Sequence, residues 1–428
     1  MPWFVPGYHT RSASWVELGV QPADWALIAL ALVGHLAFFV AFLNQTMAMA
    51  LPWWVIRLLE QIAKFGGVLP PVALVWWRLG VLPAGTSFGQ MLALLPWPLA
   101  AYLGLCLAVG VLTLPVLAWR LVRPRRTPAH NVGRLDLREV DRIVDRPLVR
   151  GWWPRMLTSL PGNEALSIES NEKVLVVPRL PGALDGLVVA HLSDLHLEGK
   201  LDRAFFEHAI ELVNQQQPDI IAVTGDIVER PECLDWLPRT LGRLRARHGV
   251  YFILGNHDLR WNGLDRIRAA LIDCGLIDVG GRALWIAADG HPLLVAGNQL
   301  PWIHPAPTAP PASTNGRPRP FRMLLAHSPD QFPWAVRERY DLVLAGHTHG
   351  GQVQLPGLGA IFAHCHHGTR YVAGLYQRED SVLHVSRGLS GLTPLRWNCR
   401  PEVTRLVLRT MPSAVLPQRE LVAEVDAP

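Results

Sequence analysis

The chain has 428 residues, of which 50% are hydrophobic and only 18% charged, with a formal net charge of +5. At roughly 150 residues per domain that length allows two or three units, and the composition is too apolar for an ordinary soluble enzyme, so part of the chain should meet lipid. The clearest basic cluster, Arg120, Arg123, Arg125 and Arg126, directly follows an apolar run, which points to an anionic membrane surface ahead of nucleic acid.

Residues ahead of the first apolar run include Glu17 and Asp24 and lack the basic start of a cleaved secretory signal, so a retained anchor is predicted. The run Trp25–Leu43 has one histidine, no formal charge and enough length to cross about 30 Å of hydrocarbon. Gly66–Leu82 carries Pro70, Pro71 and Arg78 and either spans or lies at the interface, whereas Met91–Trp119 spans with prolines that neighbouring helices must accommodate. With three spans, a loop holding Arg57 and Lys64 shares one side with the arginine cluster, and the excess of positive charge makes that side cytoplasmic. With two spans the denser arginine cluster still sets the orientation, and the catalytic domain faces the cytoplasm. Cys106, Cys233, Cys274, Cys365 and Cys399 are odd in number and form no C-x-x-C pair, as free thiols in a reducing compartment would.

The predicted organisation is an anchor over 1–126, a linker or juxtamembrane collar over 127–172, a catalytic domain over 173–411 and a tail over 412–428. Within the catalytic domain, strand-like runs such as LVVAHLSD, DIIAVTGD and GVYFILGNHD alternate with segments of helical period, RAFFEHAIELVNQ and LDRIRAALIDCG, which defines an α/β fold. Phe205, Phe206, Ile210 and Val213 read as a packing stripe, and Pro301–Pro320 as an exposed loop that could overhang a site.

Five of the apolar runs end alike, in small residues followed by metal-binding side chains. They are HLSDLH (Asp194, His196), TGD (Asp226), GNHD (Asn256, His257, Asp258), AHS (His327) and GHTH (His347, His349). Polar groups at the carboxyl ends of neighbouring strands converge on one crevice in an open α/β sheet. In an extended chain, residues i and i+2 share a face, so Asp194 with His196, and His347 with His349, are each expected to grip one ion. Imidazole mixed with carboxylate suits Mn, Fe, Zn or Ni.

This ordered set resembles the calcineurin-like metallophosphoesterase superfamily, over about Val174 to Arg409. The stretch Leu383–Leu408 resembles the bacterial branch that includes membrane-tethered phosphodiesterases and a UDP-2,3-diacylglucosamine pyrophosphatase. The resemblance implies a two-sheet sandwich flanked by helices and two divalent metal ions. Asp194, His196 and His349 would hold one ion, Asn256, His327 and His347 the other, with Asp226 bridging both. Such a pair, about 3.5–4 Å apart, makes hydroxide from water and clamps phosphoryl oxygens. His257 would protonate the leaving oxygen, with Asp258 orienting its ring. Arg387, in S-R-G-L, is the candidate for a substrate phosphate contact.

His191, His208, His248 and His291 read as ordinary hydrogen-bonded residues, and His364, His366 and His367 as a solvated loop in preference to a metal or substrate contact. No G-x-S-x-G elbow or P-loop occurs, which disfavours serine-hydrolase and kinase-like chemistry. A membrane anchor favours a lipid-linked or amphiphilic phosphoester over nucleic acid, with UDP-2,3-diacylglucosamine of lipid A synthesis as the sharpest candidate. A broad phosphodiesterase or nuclease is the rival, and an inactive scaffold would be expected to show substituted ligands.

Overall fold

A computed structural model describes residues 22–80, 86–122, 129–308 and 319–411. The tail assigned to 412–428, most of the 120–126 arginine cluster and the centre of the 301–320 loop lie outside the described residues. The chain divides into two units, Met1–Thr46 with Trp54–Pro124 and Met47–Trp53 with Arg125–Pro428.

The first unit is helical: α1 (Pro22–Ala48), α2 (Trp53–Gly80), α3 (Phe88–Leu94) and α4 (Trp97–Val122). Three of these, α1, α2 and α4, are long and apolar enough to cross a membrane, with mean hydropathies of 2.5, 1.3 and 2.2. The run expected to span from Met91 breaks at Leu95, whose extended backbone (φ −78°, ψ 146°) precedes Pro96, because the residue before proline is pushed out of the helical region. Arg57 and Lys64 sit inside α2 and not in a loop, and Lys64 pairs with Glu60 one turn away at 2.5 Å. Gly34 and Gly110 let α1 and α4 touch: a Cβ at Gly34 would lie 1.8 Å from the Cys106 carbonyl oxygen. The histidine of the first span is satisfied, with His35 Nε2 donating to the Gly67 carbonyl (3.1 Å) and Nδ1 accepting from the Tyr102 hydroxyl (2.7 Å).

The second unit holds β1 (Ala129–Glu139), α5 (Val140–Ile143), α6 (Trp152–Thr158), β2 (Ser167–Val176), β3 (Val188–Leu192), α7 (Arg203–Gln215), β4 (Ile220–Thr224), β5 (Val250–Ile253), α8 (Leu264–Asp273), β6 (Ile277–Asp278) and β7 (Ala283–Ala288). It continues through β8 (His291–Asn298), β9 (Phe321–Ala326), α9 (Phe332–Arg337), β10 (Leu342–Ala345), β11 (Gln354–Leu355), β12 (Gly359–Ala360), β13 (Gly374–Arg378), β14 (Ser381–Val385) and β15 (Glu402–Arg409). Two large sheets result, β1-β2-β15-β3-β4-β5-β6 and β13-β14-β10-β9-β8-β7, with β11 and β12 forming a separate two-stranded ribbon. Val189, Ile220, Tyr251 and Ile253 of the first interleave with Leu293, Val295, Met323, Leu325 and Leu344 of the second.

Burial of β3, β4, β9 and β10 along their whole length explains their unbroken apolar runs. Helices α7 and α8 cover the outer face of the first sheet, with Phe205, Phe206, Ile210 and Val213 packed inward. The linker expected over 127–172 is corrected: β1 pairs antiparallel with β2 at the edge of the first sheet, so the sandwich begins near Ala129.

Candidate metal centre

Strands β3, β4 and β5 run parallel in one sheet and β9 and β10 in the other, so all five end on one side of the sandwich. Asp194 and His196 follow β3, Asp226 follows β4, Asn256 follows β5, His327 follows β9, and His347 and His349 follow β10. The structure brings these seven residues together.

Among the described residues three groups of side chains have ligand atoms within 4.8 Å of one another: Asp194, His196, Asp226 and His349; Asp226, His327 and His347; and His196 with Glu229 and His257, which lies behind the first. Asp226 belongs to the two groups made of the expected ligands. Asn256 Oδ1 lies 3.0 Å from His327 Nε2. The backbone geometry differs from the extended chain expected. Asp194 (φ 53°), His196 (46°), Asp226 (54°), His347 (69°) and His349 (50°) are all left-handed, so tight turns, not strand pleats, aim the ligands. The small residue before them has a steric cause. A Cβ at Gly346 would sit 1.8 Å from Ser193 Oγ and 2.4 Å from Asp194 Oδ2.

The hydrogen bonds show that the donor set suits a cation. His196 donates from Nδ1 to Glu229 (2.6 Å), His327 from Nδ1 to the Thr224 carbonyl (2.7 Å) and His349 from Nδ1 to the Ser390 carbonyl (2.9 Å). In its neutral form each ring then offers a lone pair on Nε2. Burial favours that form, but Glu229 beside His196 and Asp226 beside His327 raise both above the ordinary histidine value, and a cation in place of those protons would do the same service for the carboxylates. Yet the Nε2 atoms of His196 and His349 face each other at 3.1 Å, and the buried Asp226 Oδ2 and His347 Nε2 have no hydrogen-bond partner among the described residues. Lone pairs converging in a buried space are reconciled by a positive ion between them. Burial, then the neighbouring His327 for His347 and His196 for His349, push these two histidines well below their ordinary pKa, which keeps them neutral ligands.

Two expected roles are corrected. Asp258 does not orient His257: its carboxylate accepts the backbone N–H groups of Ile227, Val228 and Gly255 at 2.8–2.9 Å and ties two ligand loops together. The carboxylate on His257 Nδ1 is Glu229, at 2.5 Å, which also holds His196 and accepts from Arg260 Nη1 at 2.9 Å. Burial opposes the charge of Glu229, but the His257 and His196 rings hold its pKa well below the usual carboxylate range. Its only signal in the sequence is a carboxylate three residues after Asp226, in G-D-I-V-E. Arg387 does not face a phosphate site, since its guanidinium is taken up by Glu402 and Glu169 at 2.8–2.9 Å.

Several other residues complete the surroundings. Arg260 Nη2 lies 3.2 Å from His257 Nε2. Trp302, in the proline-rich loop, walls the second group with ring centroids 4.8 Å from His347 and 5.5 Å from His327. His364 stands beside both groups, 6.0 Å from His347 and 6.3 Å from His349 between ring centroids, while the side chains of His366 and His367 are exposed. His191 is a satisfied core histidine in a buried chain. Lys173 donates to His384 Nε2 (2.8 Å), His384 Nδ1–H to His191 Nδ1 (2.8 Å), and His191 Nε2–H to Thr224 Oγ1 (2.9 Å).

A two-sheet α/β sandwich presenting such a cluster at its strand ends defines a metal-dependent phosphoesterase. Residues 187–351 match the family model for calcineurin-like phosphoesterase. The chain is 32% identical over 251 residues to the metallophosphoesterase YkuE of Bacillus subtilis, covering 57% of this chain and 86% of that protein. It is 34% identical over 225 residues to the phosphodiesterase YaeI of Escherichia coli, covering 51% and 81%. A transmembrane protein with metallophosphoesterase domain from Bos taurus is 30% identical over 254 residues, covering 55% and 56%. The chain belongs to the calcineurin-like metallophosphoesterase family, and its three apolar helices make it a membrane protein.

Proposed function

We propose that this protein is a membrane-anchored phosphodiesterase with two divalent ions, one on Asp194, His196 and His349, the other on Asn256, His327 and His347, and Asp226 shared. The observation that carries this reading is the facing pair of Nε2 atoms on His196 and His349, 3.1 Å apart beside Asp226 Oδ2, which His327 Nε2 approaches to 3.2 Å from the other side. When bound, such ions supply hydroxide from water at neutral pH and neutralise phosphoryl oxygens. The donor set suits Mn, Fe, Zn or Ni.

The chain's own residues supply the rest. Glu229 fixes the His257 ring through Nδ1–H, and Nε2, which accepts from Arg260 Nη2 at 3.2 Å, is the atom through which the ring would pass a proton to the departing oxygen once it is charged. Arg260 beside it supplies positive charge to the leaving group. Trp302 shields the second ligand group from water.

By length and composition α1, α2 and α4 suit three crossings of the bilayer, and the positive charge of Arg120 to Arg126 in the sequence favours a cytoplasmic catalytic domain. Tethering there favours an amphiphilic phosphoester, and the acylated nucleotide sugar UDP-2,3-diacylglucosamine is the candidate to try first. The test is turnover by detergent-purified protein with Mn²⁺, comparing that substrate with bis(p-nitrophenyl) phosphate. UMP and acylated sugar phosphate, lost with chelator and in His257→Ala, would support lipid A synthesis. Cleavage of the soluble diester alone would leave a broad phosphodiesterase. Metal-independent turnover would overturn the site.

A further inference from the structure

The loop between β12 and β13 reads in sequence as a solvated histidine run, but it is built onto the metal centre. Asp330, three residues after the ligand His327, gathers it: its carboxylate accepts the Cys365 thiol (2.9 Å) and the backbone N–H groups of His366 (2.9 Å) and His367 (3.3 Å). Ala363 and Cys365 are fully buried on either side of His364. The ring between them is thereby directed to the centre, beside His347 and His349, with Phe362 edge-on at 4.7 Å. Among the described residues His364 has no hydrogen-bond partner, and its ring nitrogens are not among the buried polar atoms left stranded. A half-buried imidazole held by an anchored loop next to ligands of both groups, its nitrogens accessible and unspent, is poised to bond something that enters from solvent.

We propose that His364 is a substrate-contacting residue that hydrogen-bonds a non-bridging phosphoryl oxygen of the bound phosphoester, with Asp330 as its positioning residue. This rests on the phosphoesterase reading above and adds a recognition group to it. Of the nearby arginines, Arg387 is taken up by Glu402 and Glu169, Arg396 by the His349 and Arg387 carbonyls, and Arg260 is held by Glu229 at His257, where the leaving group departs. The phosphoryl group therefore meets His364 as a fresh partner beside His347 and His349.

The test uses the full-length protein in detergent with Mn²⁺, and two readouts: kcat and KM for bis(p-nitrophenyl) phosphate, and calorimetric binding of inorganic phosphate. One hydrogen bond to a charged oxygen corresponds to roughly a 10- to 100-fold effect. His364→Ala is expected to weaken phosphate binding and lower kcat/KM by about that factor at unchanged manganese content. His364→Asn, which keeps an N–H donor, should recover part of both, and Asp330→Ala should move both in the same direction as His364→Ala. Loss of manganese in His364→Ala would make it a ligand and overturn the proposal, as would unchanged phosphate binding. If the wild type cleaves no diester, the phosphoesterase reading falls, while phosphate binding still decides the role of His364.

Discussion

Replacing Glu229 by glutamine keeps the side chain's shape and removes its charge. In the structure this carboxylate is nearly buried and accepts three donors, His196 Nδ1 at 2.6 Å, His257 Nδ1 at 2.5 Å and Arg260 Nη1 at 2.9 Å. A glutamine has one carbonyl oxygen, and its amide N–H groups then face at least one of those donors. A charge-assisted hydrogen bond contributes about 1.5–3 kcal/mol, and losing a carboxylate behind a metal-ligating histidine costs roughly 10- to 100-fold in affinity or activity. Because the same substitution releases the His257 ring, a loss of about 2–4 kcal/mol in transition-state stabilisation is expected, roughly 30- to 1,000-fold in kcat/KM. Saturating Mn²⁺ should restore metal content but only part of the rate. The measurement is kcat/KM across a manganese titration, with bound metal quantified by mass spectrometry. A variant within threefold of wild type at full occupancy would refute the claim that Glu229 positions both histidines.

Three further outcomes are expected. Gly346→Ala forces a Cβ into Ser193 and Asp194, so bound metal and activity should both fall at least tenfold while circular dichroism stays native; a fully metallated, active variant would contradict the packing. Asp258→Ala strands the N–H groups of Ile227, Val228 and Gly255, and at about 1–3 kcal/mol for each unsatisfied group should lower thermal stability far more than a surface substitution. His191 is held at about 3, chiefly by burial, against an ordinary value of 6.5. The unfolded chain therefore takes up a proton that the folded one refuses, and stability should decline from about pH 6.5 toward pH 3, at up to about 1.4 kcal/mol per pH unit. Melts of His191→Gln should show a shallower decline, and an identical slope would rule His191 out.

The ligands are legible in the sequence because each follows a buried parallel strand, and a glycine and a polar residue closing an unbroken apolar run mark the point where such a strand leaves the core and opens on a crevice. Adjacency misleads at Asp258: in a tight turn the next residue points away from its neighbour, and the carboxylate that reaches His257 comes from another loop. Arg387 shows a similar limit, since a guanidinium aimed at a phosphate and one aimed at Glu402 look alike in one dimension. β1 reads as linker because an edge strand with bulges, at Ala129/Asn131 and Arg134/Asp136, breaks the two-residue alternation. The charges of Arg57 and Lys64 suggest a loop, but Lys64 is accommodated on a helix by its partner one turn back. The position of His364 beside the ligands is not legible in the sequence because its loop is anchored by Asp330, 34 residues away along the chain.

The left-handed turns at Asp194, His196, Asp226, His347 and His349 also bear on how such a protein changes over time. Non-glycine residues in that conformation cost on the order of 1 kcal/mol each, a strain the buried sandwich must absorb. Glycine at any of them would relax the backbone while removing a ligand. That relaxation is outweighed by the buried groups it would strand, such as Glu229 behind His196 and the His347 N–H on Asp194, so a lineage released from selection for hydrolysis should keep these turns, and the look of an active centre, after activity itself is lost.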